Sequence, residues 1–192
     1  MALAPNFDYY AWGNRTLYAA WGAHAEWSWT HSRSGMLKVE LDWKDMRYRN
    51  AVLADNYDGA SKALYATYFR ALDSRWTLFG GLDISEVAAP LAINAYLQRG
   101  ARLGASLQWP AGINTTLMGS ARQRRHGAYS ALLEQRREDN EQYFTLIVRA
   151  TRWALGGFTP VLTLRRNVVR SNVDWLYSYD KHTASLKLER AF

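Results

Sequence analysis

The chain has no cysteine and only four prolines. None of its stretches approaches the ~18 consecutive apolar residues that a membrane-spanning helix requires. Without cysteine there is no disulfide framework, no thiol nucleophile and no cysteine-ligated metal. The four histidines, His24, His31, His126 and His182, are dispersed with no HxxxH or comparable ligand spacing, so neither a metal nor a cofactor is expected. Residues 1–10, MALAPNFDYY, lack the basic start and apolar core of a signal peptide. The lack of a long apolar run, in a chain of mean hydropathy −0.35, excludes helical membrane spanning. It does not exclude spanning by strands, which spend only alternate residues on lipid and barely register in hydropathy.

Aromatic residues and positive charge are plentiful. There are 9 Trp, 12 Tyr and 6 Phe, and 24 basic against 17 acidic residues leave a net charge of +7. Such a balance admits nucleic acid or an acidic surface as partner. The most basic run, Arg122 to His126 (RQRRH), continues a strand pattern towards a loop. That placement favours lipid phosphates, and no nucleic-acid partner is expected.

Hydrophobic periodicity sets the fold class. Across residues 17–30, Leu17, Ala19, Trp21, Ala23, Ala25, Trp27 and Trp29 share one parity, and Tyr18, His24, Glu26, Ser28 and Thr30 take the other. This is period two, not the 3.6 of a helix. A turn at 31–35 leads to Leu37, Val39, Leu41 and Trp43 against Lys38, Glu40, Asp42 and Lys44, which makes a hairpin. The pattern recurs over 60–72, then 76–84 beyond a turn at 73–75, and 100–109 beyond a link around Pro90. It returns at 113–122 beyond Pro110, at 143–151 with Ile147 out of pattern, at 161–165 and at 183–192. Residues 49–59, 127–141 and 171–180 read as longer solvated links. About nine strands result, with tight turns alternating with longer loops, as in outer-membrane barrels.

The aromatics follow the same frame. Trp29, Trp76, Trp109, Trp153 and Phe158 lie close to short turns, where a membrane interface satisfies both an apolar ring and a polar edge. Tyr48, Tyr57, Tyr96 and Tyr143 lie near the opposite strand ends and are expected to form a second girdle. In the last strand Leu186 and Leu188 share the apolar parity and the chain closes on Phe192, the terminal pattern of an outer-membrane strand. The reading is all-β, an antiparallel transmembrane barrel in a bacterial outer membrane, in contact with its lipids. A large soluble β-sheet protein that merely uses tryptophan is the alternative.

Several segments resemble the carboxyl-terminal barrel of the surface lipoprotein assembly modulator (Slam) family. They are the run GFTPVLTLRR from Gly157 to Arg166, Ser171-Asn172, LYSYDK from Leu176 to Lys181, and a strand ending in Phe192. Arg47-Tyr48-Arg49 before Asp58-Gly59, FGGLD from Phe79 to Asp83, and RGARLG from Arg99 to Gly104 leading to Trp109-Pro110 support it. The resemblance runs from about Trp21 to the end, with Arg190 a departure from the apolar residue usual there. It implies a barrel of about fourteen strands, preceded in the family by a signal peptide and a periplasmic helical-repeat domain, both absent from this sequence. Residues 1–192 are then expected to be the carboxyl-terminal part of one barrel domain. The implied role is to assist surface display or secretion of a lipoprotein or soluble cargo, with the barrel assembly machinery as a further partner.

No catalytic constellation emerges. His24, Glu26 and Ser28 project together from one strand face, but no orienting partner and nucleophile are evident in reach, so no enzyme is expected. On the polar parity, Arg102, Arg122, Arg124, Arg149 and Arg165 are candidates for a lumen surface that meets acidic cargo. A hydrated lumen laced with ion pairs is the plainer reading, and Lys38, Glu40 and Asp42 fit it. A passive channel and a soluble β-barrel ligand-binding module are the competing functions.

Overall fold

Period-two alternation gives every strand two chemically different sides, and pairing such strands antiparallel sorts those sides into two sheet faces. The computed structural model describes residues 1–12, 15–153 and 156–190. It contains a ten-stranded antiparallel sheet in which each strand pairs with its sequence neighbours. The strands are β1 (Ala2–Trp12), β2 (Arg15–Ser32), β3 (Gly35–Tyr48), β4 (Gly59–Ala71), β5 (Trp76–Val87), β6 (Tyr96–Trp109), β7 (Ile113–Ser130), β8 (Gln135–Ala150), β9 (Thr159–Ser171) and β10 (Tyr179–Glu189). Two short helices, α1 (Ala51–Tyr57) and α2 (Asp174–Tyr177), interrupt the links after β3 and β9. No helix among the described residues is long and apolar enough to cross a membrane.

The sheet does not close: β1 and β10 each pair on one side only. It curls nonetheless. Asp8 of β1, Glu141 of β8 and Tyr177 of α2 line one concave cavity of about 710 Å³. The strands are also staggered. A line of cross-strand partners that starts at Trp29, near the β2–β3 turn, passes through Leu103 and Phe144. It ends at His182, near the opposite end of β10. Such a climb is the tilt and shear that barrel geometry requires.

Two sequence expectations need correcting. Among the described residues there are ten strands, not nine, because residues 2–12 form β1. Pro5 and the tyrosines blur its alternation, and a proline is tolerated best in a strand with an open edge. The link expected at 127–141 is mostly strand as well. β7 runs to Ser130 and β8 begins at Gln135, which leaves a turn of residues 131–134. Polar residues occupy both sides of that stretch, so hydropathy carried no period there.

The turns at 33–34, 73–75 and 110–112 lie at one end of the sheet, and the links holding α1 and α2 lie at the other. These are called the turn end and the loop end. At the turn end Gly112 adopts φ +72°, a left-handed conformation that costs glycine little, and its carbonyl accepts the Thr151 hydroxyl at 2.7 Å. Asp73 closes the β4–β5 turn by accepting the backbone N–H groups of Arg75 and Trp76 at 2.7 and 2.8 Å. Those bonds, that from Arg75 first, hold its carboxyl below the ordinary range. A depressed carboxylate pKa contributes stability above the unfolded-state value, and the contribution is lost as pH falls through the folded value. Asp73→Ala is therefore expected to lower the urea midpoint at neutral pH, with the gap to the parent closing as pH drops below ~4. Parallel urea titrations across that range check it.

Candidate functional site

The convex face is a belt of apolar side chains that ends abruptly. On β7 it runs Ile113, Thr115, Leu117, Gly119, Ala121 and then turns polar at Gln123 and Arg125. On β8, read in the same direction, it runs Ala150, Val148, Leu146, Phe144 and turns polar at Gln142 and Asn140. Leu82, Leu103 and Leu117 stand 67%, 71% and 58% exposed in mid-belt. Exposed leucines in such a continuous band mark a surface that meets something apolar.

Aromatics rim the belt. Trp29, Trp76, Trp109, Trp153 and Phe158 are all exposed at the turn end. Trp27 stacks beside Trp29, and the Trp109 Nε1–H donates to the Thr115 hydroxyl at 3.0 Å. Leu186 and Leu188 lie exposed on the convex side of β10, while Phe192 falls outside the described residues. The second girdle is not the one expected. Tyr48, Tyr96 and Tyr143 share the concave parity, and Tyr57 packs from α1 against Tyr48. Convex aromatics towards the loop end include Phe7, Tyr9 and the edge-to-face pair Trp21–Trp43. Position along the strand was readable from the sequence; for tyrosines outside the clean alternation, the face was not.

The concave wall carries the chemistry. Arg102, Arg122, Arg124, Arg149 and Arg165 all lie on it. Three of the arginines expected there, together with Arg137, form a ladder in which each guanidinium lies over a tyrosine. Arg102 faces Tyr65 at 5.5 Å, Arg122 faces Tyr143 at 5.6 Å, Arg124 faces Tyr96 at 4.6 Å and Arg137 faces Tyr177 at 3.4 Å. Carboxylates neutralise most of them. Arg122 meets Asp83 at 3.4 Å, Arg124 meets Glu141 at 2.8 Å, and Arg137 meets Asp139 at 2.7 Å. Arg102 donates to the Thr67 hydroxyl at 2.7 Å. Backbone allows this crowding at Gly100, where an added Cβ would fall 2.8 Å from the Asp83 carboxylate.

Asp139 is the centre of the ladder. It is fully buried, and Arg137, Arg124 and His126 converge on it. His126 in turn holds the Ile93 carbonyl at 2.8 Å. The loop after β9 seals this end: the Asn172 amide donates to the Arg136 carbonyl at 2.7 Å and accepts the Glu138 N–H at 2.8 Å. Val173 is consequently buried and Tyr177 is set over Arg137. Sequence reasoning missed Arg137, Asp139, Glu141 and Tyr177 because it placed them in solvated links. The available signal was charge rather than hydropathy. Arg122 and Arg124 face Glu141 and Asp139 in register, so an RxR pattern opposes DxE.

Two further clusters complete the wall. His24 Nδ1 meets Asp42 at 2.9 Å, and the Lys38 ammonium sits between Glu26 and Glu40 at 2.9 and 3.0 Å. The ligand atoms of His24, Glu26 and Glu40 lie close enough to hold an ion, but the lysine already supplies the positive charge there. Arg149 reaches across to Glu189 of β10 at 2.8 Å. Arg165 is exposed and takes no ion pair or side-chain hydrogen bond among the described residues.

An antiparallel sheet that is apolar outside, rimmed by aromatics and lined by compensated charge defines an outer-membrane type of β-barrel. The fold agrees with that of OccAB4 of Acinetobacter baumannii, with a TM-score of 0.57 at 12% identity over 96% of this chain and 48% of that one. The chain belongs to the surface lipoprotein assembly modifier family, whose pattern it matches over residues 1–192. It is 42% identical to the hemophilin secretion modulator of Acinetobacter baumannii over 100% of this chain and 38% of the relative. It is 26% identical to surface lipoprotein assembly modifier 1 of Haemophilus influenzae over 89% of this chain and 34% of the relative. The chain thus spans little more than a third of the curated relatives it matches.

Proposed function

We propose that this chain is part of an outer-membrane barrel that assists display or secretion of a cargo protein, a surface lipoprotein or a soluble secreted protein. The carrying observation is the family match over all 192 residues on a sheet whose convex belt is apolar and whose concave wall is charged. The relatives' names supply the class of cargo. The loop end faces the cell exterior, because barrels of this type keep short turns on the periplasmic side. The open edges of β1 and β10 pair with further strands of the same barrel, since unpaired backbone groups in lipid cost several kcal/mol each.

The role is that of a conduit or insertion aid, not of a catalyst. Most of the wall's arginines are spent on tyrosines and carboxylates and serve to stiffen it. Arg165, beside the last strand, keeps its charge available for acidic cargo and for a seam along β10. The test is protease shaving of intact cells that express a candidate surface lipoprotein or secreted cargo, with and without the gene for this protein. Loss of at least ten-fold (roughly 1.4 kcal/mol in an equivalent equilibrium) of surface-cleavable cargo on deletion supports the reading. Unchanged cleavage would reduce the protein to a passive channel.

A further inference from the structure

An apolar groove and a row of polar and cationic side chains meet at one place on the convex face. The groove, of about 790 Å³, runs across β5 to β8, walled by Leu78, Leu103, Leu117 and Phe144 over Gly119 and Ala121. The row caps this groove at the loop end. Arg99, Gln123, Asn140 and Arg170 follow one another in register on four adjacent strands, all on the convex side. Arg99 and Arg170 are exposed, and neither takes an ion pair or side-chain hydrogen bond among the described residues. Arg125 lies diagonally beside Arg99, only loosely held by Glu138 at 3.5 Å. Three carboxylates share this part of the rim: Glu138, Glu86 on β5 diagonal to Arg99, and Asp180 on β10, which Arg166 already holds at 2.6 Å.

We infer that the groove and its cap bind lipid A, acyl chains along the apolar floor and phosphates on the guanidinium groups. Arg99 and Arg170 stand three strand spacings apart, ~14 Å, with two amide side chains between them. That arrangement offers two separated cationic ends and neutral hydrogen-bonding groups in the middle, which complements a sugar head phosphorylated at both ends. Guanidinium groups pair with phosphate oxygens through two parallel N–H donors. Placed just above an apolar belt they meet lipid phosphates rather than bulk water. The inference rests on the outer-membrane reading, which puts the loop end at the outer leaflet.

The test uses the full gene product in detergent, with native mass spectrometry of retained lipid. Parent protein retains lipid A, and R99Q/R170Q retains it about 30-fold more weakly, ~1 kcal/mol for each arginine. Lipid A stripped of its phosphates binds the parent comparably weakly, a comparison that needs no variant to fold. R70Q, on the convex face at the turn end, leaves retention unchanged. Equal binding by R99Q/R170Q or of the stripped lipid overturns the site, as does an equal loss in R70Q. Equal retention of phosphatidylglycerol shows a general anionic interface and overturns the assignment to lipid A. Folding is read on the same samples by heat-modifiable gel mobility. A gene product missing from the membrane fraction overturns the outer-membrane reading and this inference together; a folded barrel with unchanged lipid binding overturns this inference alone.

Discussion

Asp139→Asn is expected to destabilise the folded barrel by about 3 kcal/mol, the lower end of what removing one partner of a buried ion pair costs. The carboxylate is completely buried, whereas the guanidinium-bearing side chains of Arg124 and Arg137 keep 22% and 21% of their exposure. Water therefore still reaches the charges left behind, which places the cost at the bottom of the range. Asn retains the volume and one acceptor but not the charge that holds Arg137 and Arg124 against each other. Asp180→Asn makes the contrast. Its bond to Arg166 is shorter, 2.6 Å, but both groups are about half exposed, and exposed pairs contribute ~0–1 kcal/mol. Urea midpoints of the folded, heat-modifiable form measure both. Equal effects of the two substitutions would mean that the ladder does not hold the wall.

The second large effect is expected on the opposite face. Leu103→Arg should cost about 2–4 kcal/mol, the penalty for a basic residue at the lipid midplane of a barrel. In a water-soluble sheet the same change at a leucine 71% exposed would be neutral within about 0.5 kcal/mol. Ser85, on the concave side of β5, supplies the matched control: Ser85→Arg puts the same charge where water and counter-charges are at hand and stays within about 0.5 kcal/mol. The sign of the difference between Leu103→Arg and Ser85→Arg, measured as urea midpoints in lipid, therefore separates a barrel from a soluble sheet.

How much of this was legible depended on contrast between faces. From Trp76 to Ala121 one parity is apolar and the other polar, so strands, pairing and the concave placement of Arg102 and Arg122 could be read directly. In β1, Pro5 and the tyrosines removed that contrast. Between His126 and Glu141 both parities are polar, because there the strands stand beyond the apolar belt and neither side needs hydrocarbon-like residues. The most buried charge of the wall, Asp139, therefore lay in the stretch that looked most solvated. Its burial follows from Arg124 and His126 reaching it from β7 and Arg137 two residues away on its own strand; the cross-strand part is a property of register rather than of local composition. The resemblance motifs acquire physical content in the same way. Ser171-Asn172 is the clamp that pins the loop after β9, and Tyr177 in LYSYDK is the ring beneath Arg137.

The absence of cysteine allows the central claim, that the convex face lies in lipid, to be measured residue by residue. Single cysteines at Leu103, Leu117 and Leu146 on the convex face, and at Ser106, Thr116 and Thr163 on the concave face, would be labelled in isolated outer membranes with a water-soluble maleimide. The account predicts period-two protection, with the convex set unreactive until the membrane is dissolved and the concave set reactive throughout. Uniform labelling of both sets, or protection of the concave set alone, would contradict it.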